Sequence, residues 1–179
     1  MKKPHLLTYP RCGSHYLDDL IYKEVKVSIE KSHSVTRCFD KNNKKQRTIV
    51  TIVRDPVETL YSYIALAENR SAHAATVGVD QVLTEYILLH SFLYEHADYV
   101  IDFKDLIEHP DAVTKRIVEL LEINEETSSL FHRDPIIKHS SYLESSKNLP
   151  GYKRHDLERY NIDLCYFHYN RLLERKIVI

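Results

Sequence analysis

The stretch "LLTYPRCGSHYL", residues 6–17, places one of the chain's three glycines between a short apolar run and a segment of helical character. A strand that breaks at Pro10, turns on Gly13 between small residues and then starts a helix gathers several backbone N–H groups around one point, which is how proteins hold an anion. Alone, the same turn serves equally well as punctuation. A second segment, "IVTIVRDPVETLYSY", puts Arg54 at the carboxyl end of a buried apolar run, where ligands bind in open α/β sheets. Ser62 follows eight residues later, just over two helical turns on, so its hydroxyl can share a side with Arg54. The plainer alternative is an arginine paired with Asp55 or Glu58 and a serine facing water.

Those groups need a scaffold, and the pattern of the chain supplies one. Short apolar runs at His5–Tyr9, Val25–Ile29, Thr48–Val53 and Tyr99–Phe103 read as strands. Residues 48–53, "TIVTIV", are β-branched throughout, as in a strand covered on both faces. Between the runs, Ser14–Tyr22, Asp55-Pro56 to about Asn69, and Asp80–Glu95 have helical spacing, with Asp55 as N-cap and Pro56 at the first helical position. His109-Pro110 opens another helix, with Val113, Ile117, Leu120 and Leu121 as its apolar stripe, and Asp156–Arg175 reads as a last one. Strands alternating with helices predict an α/β fold with a mainly parallel sheet flanked by helices. Residues 41–47, "KNNKKQR", and the polar stretch Ser140–Pro150 read as loops. With 179 residues and no internal repeat, residues 1–179 are expected to form a single domain.

Composition removes several function classes. A formal net charge of −1 argues against nucleic-acid binding through bulk electrostatics, so any anion site rests on a few local cations. The 43% hydrophobic and 28% charged content is that of a globular protein. Three cysteines without paired spacing suggest reduced thiols and a cytoplasmic location, and the N-terminal apolar run is too short for a leader or an anchor, so no membrane is expected as partner. Eleven histidines are scattered without H-x-x-x-H or C-x-x-C spacing, which predicts no metal site. The segment "CYFHYNR", residues 165–171, has the C-x-x-x-x-x-R spacing of cysteine phosphatases, but it lacks the small residues needed to wrap amides around a phosphate, so Cys165 reads as packing. The nucleotide loop G-x-x-x-x-G-K-[ST] is absent, which disfavours an ordinary P-loop kinase or ATPase.

Four pieces of the chain, in order, resemble one family. "TYPRCGSHYL" resembles the T-Y-P-K-S-G-T-T-W-L loop of sulfotransferases that use 3′-phosphoadenosine 5′-phosphosulfate (PAPS). "IVTIVRDPVETLYSY" resembles their V-x-x-x-R-[DN]-P-x-x-x-x-x-S segment, "IEKSHSV" their K-T-H stretch, and "YVIDFKDLIEHPDAVTKRIVELL" their Y-E-D-L strand followed by D-P and a helix. The resemblance covers roughly the first two-thirds of the chain and implies an unusually short member with the P-loop nucleotide kinase-like sulfotransferase fold.

Carried over by position, the resemblance implies that Arg11, Cys12, Gly13, Ser14, His15 and Tyr16 bind the 5′ end of the cofactor. Arg11 stands for the family's lysine, Cys12 for its serine and Tyr16 for its tryptophan; a planar guanidinium is not an ammonium. Arg54 and Ser62 match the ligands of the 3′-phosphate, and Phe103 stands where many relatives have a tyrosine near the base. A faint echo of the family's late closing element in "SSKNLPGYKRHD" suggests Lys147 or Lys153 over the cofactor. His33 matches the catalytic histidine and Lys31 the family lysine that touches the sulfuryl or leaving oxygens; Arg11 adds fixed positive charge. A histidine suits the base role because its ordinary pKa of about 6.5 lies near working pH.

The expected activity is therefore sulfuryl transfer to a hydroxyl or amine, leaving adenosine 3′,5′-bisphosphate, without an obligatory metal. Substitutions at Arg11, Cys12 and Phe103 keep open a non-catalytic binder of 3′-phosphoadenosine nucleotides, and a kinase-like phosphotransferase stands as the more remote alternative. The acceptor, whether small molecule, glycan or protein, and any homo-oligomer are not legible. Only residues 18–48 separate the first two motifs, so the acceptor site is expected to be open, or completed by a partner subunit or by Ser140–Pro150.

Overall fold

The computed structural model describes residues 3–39, 45, 47–70, 78–123 and 157–179. Its elements run β1 (Lys3–Leu7), α1 (Ser14–Val25), β2 (Glu30–Ser32), a 3₁₀ turn (Val35–Cys38), β3 (Arg47–Val53), α2 (Pro56–Arg70), α3 (Val79–His96), β4 (Tyr99–Asp102), α4 (Phe103–Glu108), α5 (Pro110–Leu120), a second 3₁₀ turn (Leu157–Arg159) and α6 (Asp163–Leu173). The strands form one sheet in the order β2-β1-β3-β4, every pair parallel. The fold is therefore α/β, with a parallel sheet flanked by helices, the class the alternation of runs predicts.

Alternation along the central strands explains the layers. Leu6, Val50, Ile52 and Ile101 face one way, onto Leu17 and Ile21 of α1 and Val113 and Ile117 of α5. Their neighbours Leu7, Ile49, Val53 and Val100 face the other way, onto Leu93 of α3 and Leu172 of α6. Successive side chains of a strand point to opposite faces, so a continuous β-branched run requires apolar cover on both. Each such side chain contributes about 1.5–3 kcal/mol on full burial. Residues 49–53 of β3 are all buried, Thr51 included.

Helix starts follow the sequence signals. Asp55 accepts the Glu58 N–H at 3.0 Å ahead of Pro56, and Asp102 accepts the Lys104 N–H at 2.9 Å ahead of Phe103. The second strand is a correction: Val25–Ile29 is not extended pairing backbone. Val25 ends α1, Lys26 caps it in the left-handed region at φ 60°, and the Ile29 N–H donates to the Asp18 carboxylate. Val27 and Ile29 are buried as packing groups, and the strand that pairs with β1 is the polar Glu30–Ser32. The last helix is also shorter than Asp156–Arg175, beginning at Asp163. Among the described residues no helix is long and apolar enough to cross a membrane.

Candidate functional site

Parallel strands present all their carboxyl ends at one edge, and here each end carries a residue singled out from sequence. His33 follows β2, the loop 8–13 follows β1, Arg54 follows β3, and Phe103 follows β4. Together with Tyr63 and Leu66 of α2, these groups line a cavity of about 340 Å³ that Pro10, Arg11, Gly13, Ser14, His15 and Tyr16 also border. That volume is in the range of small-molecule sites.

The loop's shape is set by two left-handed residues, Arg11 at φ 71° and Gly13 at φ 90°. For Arg11 this conformation is strained, and strain of this kind persists only where neighbours hold it. Gly13 serves as the N-cap of α1, with no side-chain cap and no acidic residue in the first turn. The first intrahelical bond runs from Leu17 N–H to the Gly13 carbonyl, so the amides of Ser14, His15 and Tyr16 precede it at the positive end of the helix. Gly13 is required a second way: a Cβ there would stand 2.8 Å from Cε2 of Phe103.

Arg54 is buried, and its guanidinium lies 4.6 Å from the Phe103 ring centroid. Its Nη1 donates to the Arg11 carbonyl at 3.2 Å, which ties the strained loop to the end of β3. Its Nη2 and Nε donate to one oxygen of Glu58, at 2.9 and 3.3 Å. Of the two carboxylates that could neutralise Arg54, the structure uses Glu58; Asp55 instead accepts the Tyr166 hydroxyl at 3.1 Å.

His33 is exposed at the rim, with Nδ1 2.7 Å from the Thr8 carbonyl oxygen. A carbonyl only accepts, so Nδ1 carries a proton and donates it to Thr8, which leaves Nε2 as the nitrogen that accepts in the neutral ring. The ring is thus oriented by the backbone of the loop that follows β1, with Nε2 on its other side.

Three of the residues read from sequence do not line this cavity. Lys31 pairs with Asp18, a buried carboxylate on α1 that also takes the Ile29 N–H at 2.9 Å. Cys12 turns inward, its thiol 3.9 Å from the Thr59 hydroxyl, and burial pushes that thiol up to about 12 against the opposing effects of Thr59 and Arg54. Ser62 is fully buried, and its hydroxyl accepts Arg11 Nε at 2.9 Å. Lys147, Lys153 and Ser140–Pro150 lie outside the described residues. Cys165 is a helical core residue whose thiol burial raises to about 11, unlike a phosphatase nucleophile.

Sequence reasoning missed Asp18 and Tyr63. Asp18 gives little local signal, being one of two adjacent aspartates between the buried Leu17 and Ile21, and its partners come from β2 and the segment before it. Tyr63 and Leu66 lie one turn apart on α2, a spacing that marks a shared face but not what the face meets. Among the described residues no group of three or more His, Cys, Asp or Glu side chains is placed to hold a metal ion.

Among solved structures, the chain is similar to the crystal structure of mouse sulfotransferase SULT7A1 complexed with PAP, at 16% identity and a TM-score of 0.46, covering 97% of this chain and 84% of that one. No family model and no curated protein matches the chain.

Proposed function

We propose that this protein is a PAPS-dependent sulfotransferase whose active site is the cavity at the carboxyl edge of the sheet. The observation that carries the reading is the meeting of three sequence-distant segments, the loop 10–16, Arg54 and His33, around one small-molecule-sized space. When bound, the phosphosulfate supplies an activated sulfuryl group with adenosine 3′,5′-bisphosphate as its leaving part. The α1 amides and Arg11 hold the 5′ end, where the helix terminus and a fixed cation favour negative charge. Arg54 serves the 3′-phosphate, and Phe103 and Tyr16 offer aromatic surface to the nucleoside. His33 accepts the proton of the acceptor hydroxyl or amine at Nε2, while the Thr8 carbonyl steadies the imidazolium through Nδ1–H.

The ion pairs favour a second reading, a non-catalytic binder of the same nucleotides. Lys31 is engaged by Asp18 and Arg54 by Glu58, which lowers the positive charge available to a transferring group. Calorimetric titration with adenosine 3′,5′-bisphosphate, adenosine 5′-monophosphate and ATP, all without metal, tests what both readings share. Selective binding of the bisphosphate supports them, and equal or absent binding refutes them. His33→Ala then separates the two: binding is retained while release of bisphosphate from PAPS with a panel of phenol, amine and sugar acceptors falls by about 10²–10⁴-fold. Undiminished turnover removes His33 from the mechanism.

A further inference from the structure

We infer that Asp18 is a positioning residue for His33, acting through the edge strand β2. The inference rests on the reading above for what His33 does, but its structural basis is independent. β2 is a three-residue polar strand at the edge of the sheet, paired with β1, so it has no apolar face of its own to hold it down. One carboxylate supplies what its sequence lacks. Lys31 stands beside Leu6 in the parallel register, so its side chain leaves the sheet on the α1 side. There Asp18 accepts the Lys31 ammonium at Oδ2 and the Ile29 N–H at Oδ1, the latter at 2.9 Å, and so grips the chain on both sides of Glu30. Asp18 is 4% exposed, and a carboxylate at that depth persists only when it is paired and hydrogen-bonded. Its burial and the seating of β2 are therefore one event.

The consequence falls on His33, two residues beyond Lys31 and just past the end of β2. The Thr8 N–H donates to the Ser32 carbonyl at 3.3 Å, and the Thr8 carbonyl accepts from His33 Nδ1 at 2.7 Å. The imidazole thus keeps its orientation only while β2 lies in register against β1 at this end. Asp18 lies about one helical turn beyond Ser14, at the end of α1 assigned above to the nucleotide. One helix therefore carries both the amides for the donor and the carboxylate that seats the strand leading to the base. Asp18 sets the separation between the two. Group transfer is sensitive to such a separation, a displacement of about 1 Å costing about 10²-fold. Lys31 then has a different task from the one its place in the motif implies: its ammonium locks β2 to α1 instead of meeting the sulfuryl oxygens.

The experiment compares wild type with Asp18→Asn, Lys31→Met and the double variant Asp18→Asn/Lys31→Met. The first readout is the tautomer of neutral His33, read from its ring ¹⁵N shifts and assigned by their loss in His33→Ala. The proton sits on Nδ1 in wild type, and that preference is lost in either single variant. An unchanged tautomer in the single variants overturns the inference whether or not the protein is a sulfotransferase. If Asp18→Asn does not fold, Lys31→Met decides by the same measurement. The second readout is release of adenosine 3′,5′-bisphosphate from PAPS with the acceptor panel. Each single variant lowers kcat by about 10²-fold while calorimetric affinity for the bisphosphate is unchanged, and the double variant loses no more than the worse single one. A loss in Lys31→Met that Asp18→Asn does not share makes Lys31 a direct partner of the sulfuryl group and overturns the inference, as do losses that multiply in the double variant. If wild type turns over none of the acceptors, the functional reading fails while the tautomer still decides the role of Asp18.

Discussion

Gly13→Ala is the perturbation whose size follows most directly from the structure. Two separate costs arise. An L-residue at φ 90° is outside its favoured region, a penalty of roughly 1–2 kcal/mol. The new Cβ would also lie 2.8 Å from Phe103 Cε2 and 3.0 Å from Cδ2, so the ring has to move, an overpacking cost of roughly 1–3 kcal/mol. The sum, about 2–5 kcal/mol, is survivable for a domain of ordinary stability. The displaced ring is the one beneath the Arg54 guanidinium, so the damage reaches the proposed anion site as well as the fold. Urea unfolding of wild type, Gly13→Ala, Phe103→Ala and the double variant separates the costs. In the Phe103→Ala background the steric part disappears and only the backbone part persists, giving a coupling of about 1–3 kcal/mol. A Gly13→Ala loss below about 0.5 kcal/mol would refute the left-handed turn. Strict additivity in the cycle would refute the contact with Phe103.

Two further outcomes are expected. His90 is fully buried and stacked on Tyr86 at 3.7 Å; desolvation, reinforced by nearby His168 and opposed by the bond to the Tyr86 carbonyl, lowers its pKa to about 4. With a folded pKa below the unfolded 6.5, the neutral ring's contribution is intact above pH 6.5 and is lost as pH falls toward 4, about 3 kcal/mol in all. Unfolding curves across that window should be steeper in pH for wild type than for His90→Phe, by about 1.4 kcal/mol per unit; parallel curves, or a His90 ring titrating near 6.5 by NMR, would contradict the burial of an uncharged imidazole. Glu58→Gln removes the carboxylate that shares Arg54, and because Glu58 is half exposed the effect is screened. Affinity for the bisphosphate should rise about two- to fivefold at low salt and less at high salt, with the monophosphate unchanged; no change at low salt would mean that Arg54 does not meet the 3′-phosphate.

What was legible in the sequence divides along a physical line. Strand and helix identity is local: the β-branched run at residues 48–53 and Asp55-Pro56 announce themselves, and both lie where expected. The parallel sheet follows from their alternation, and with it the gathering of strand-end residues at one edge. The strand β2 escaped because Glu30–Ser32 has no apolar pattern; it is an edge strand held by β1, while the apolar Val27 and Ile29 beside it pack without pairing. Partner choice is the nonlocal part. Nothing near Lys31 in sequence points to Asp18, and nothing near Ser62 points to an arginine 51 residues away. A motif therefore fixes where along an element a side chain starts, and tertiary neighbours decide where it ends. Arg11, which stands where the resembled motif has a lysine, illustrates the consequence: its Nε–H donates to Ser62, a partner 51 residues away that the motif itself does not announce.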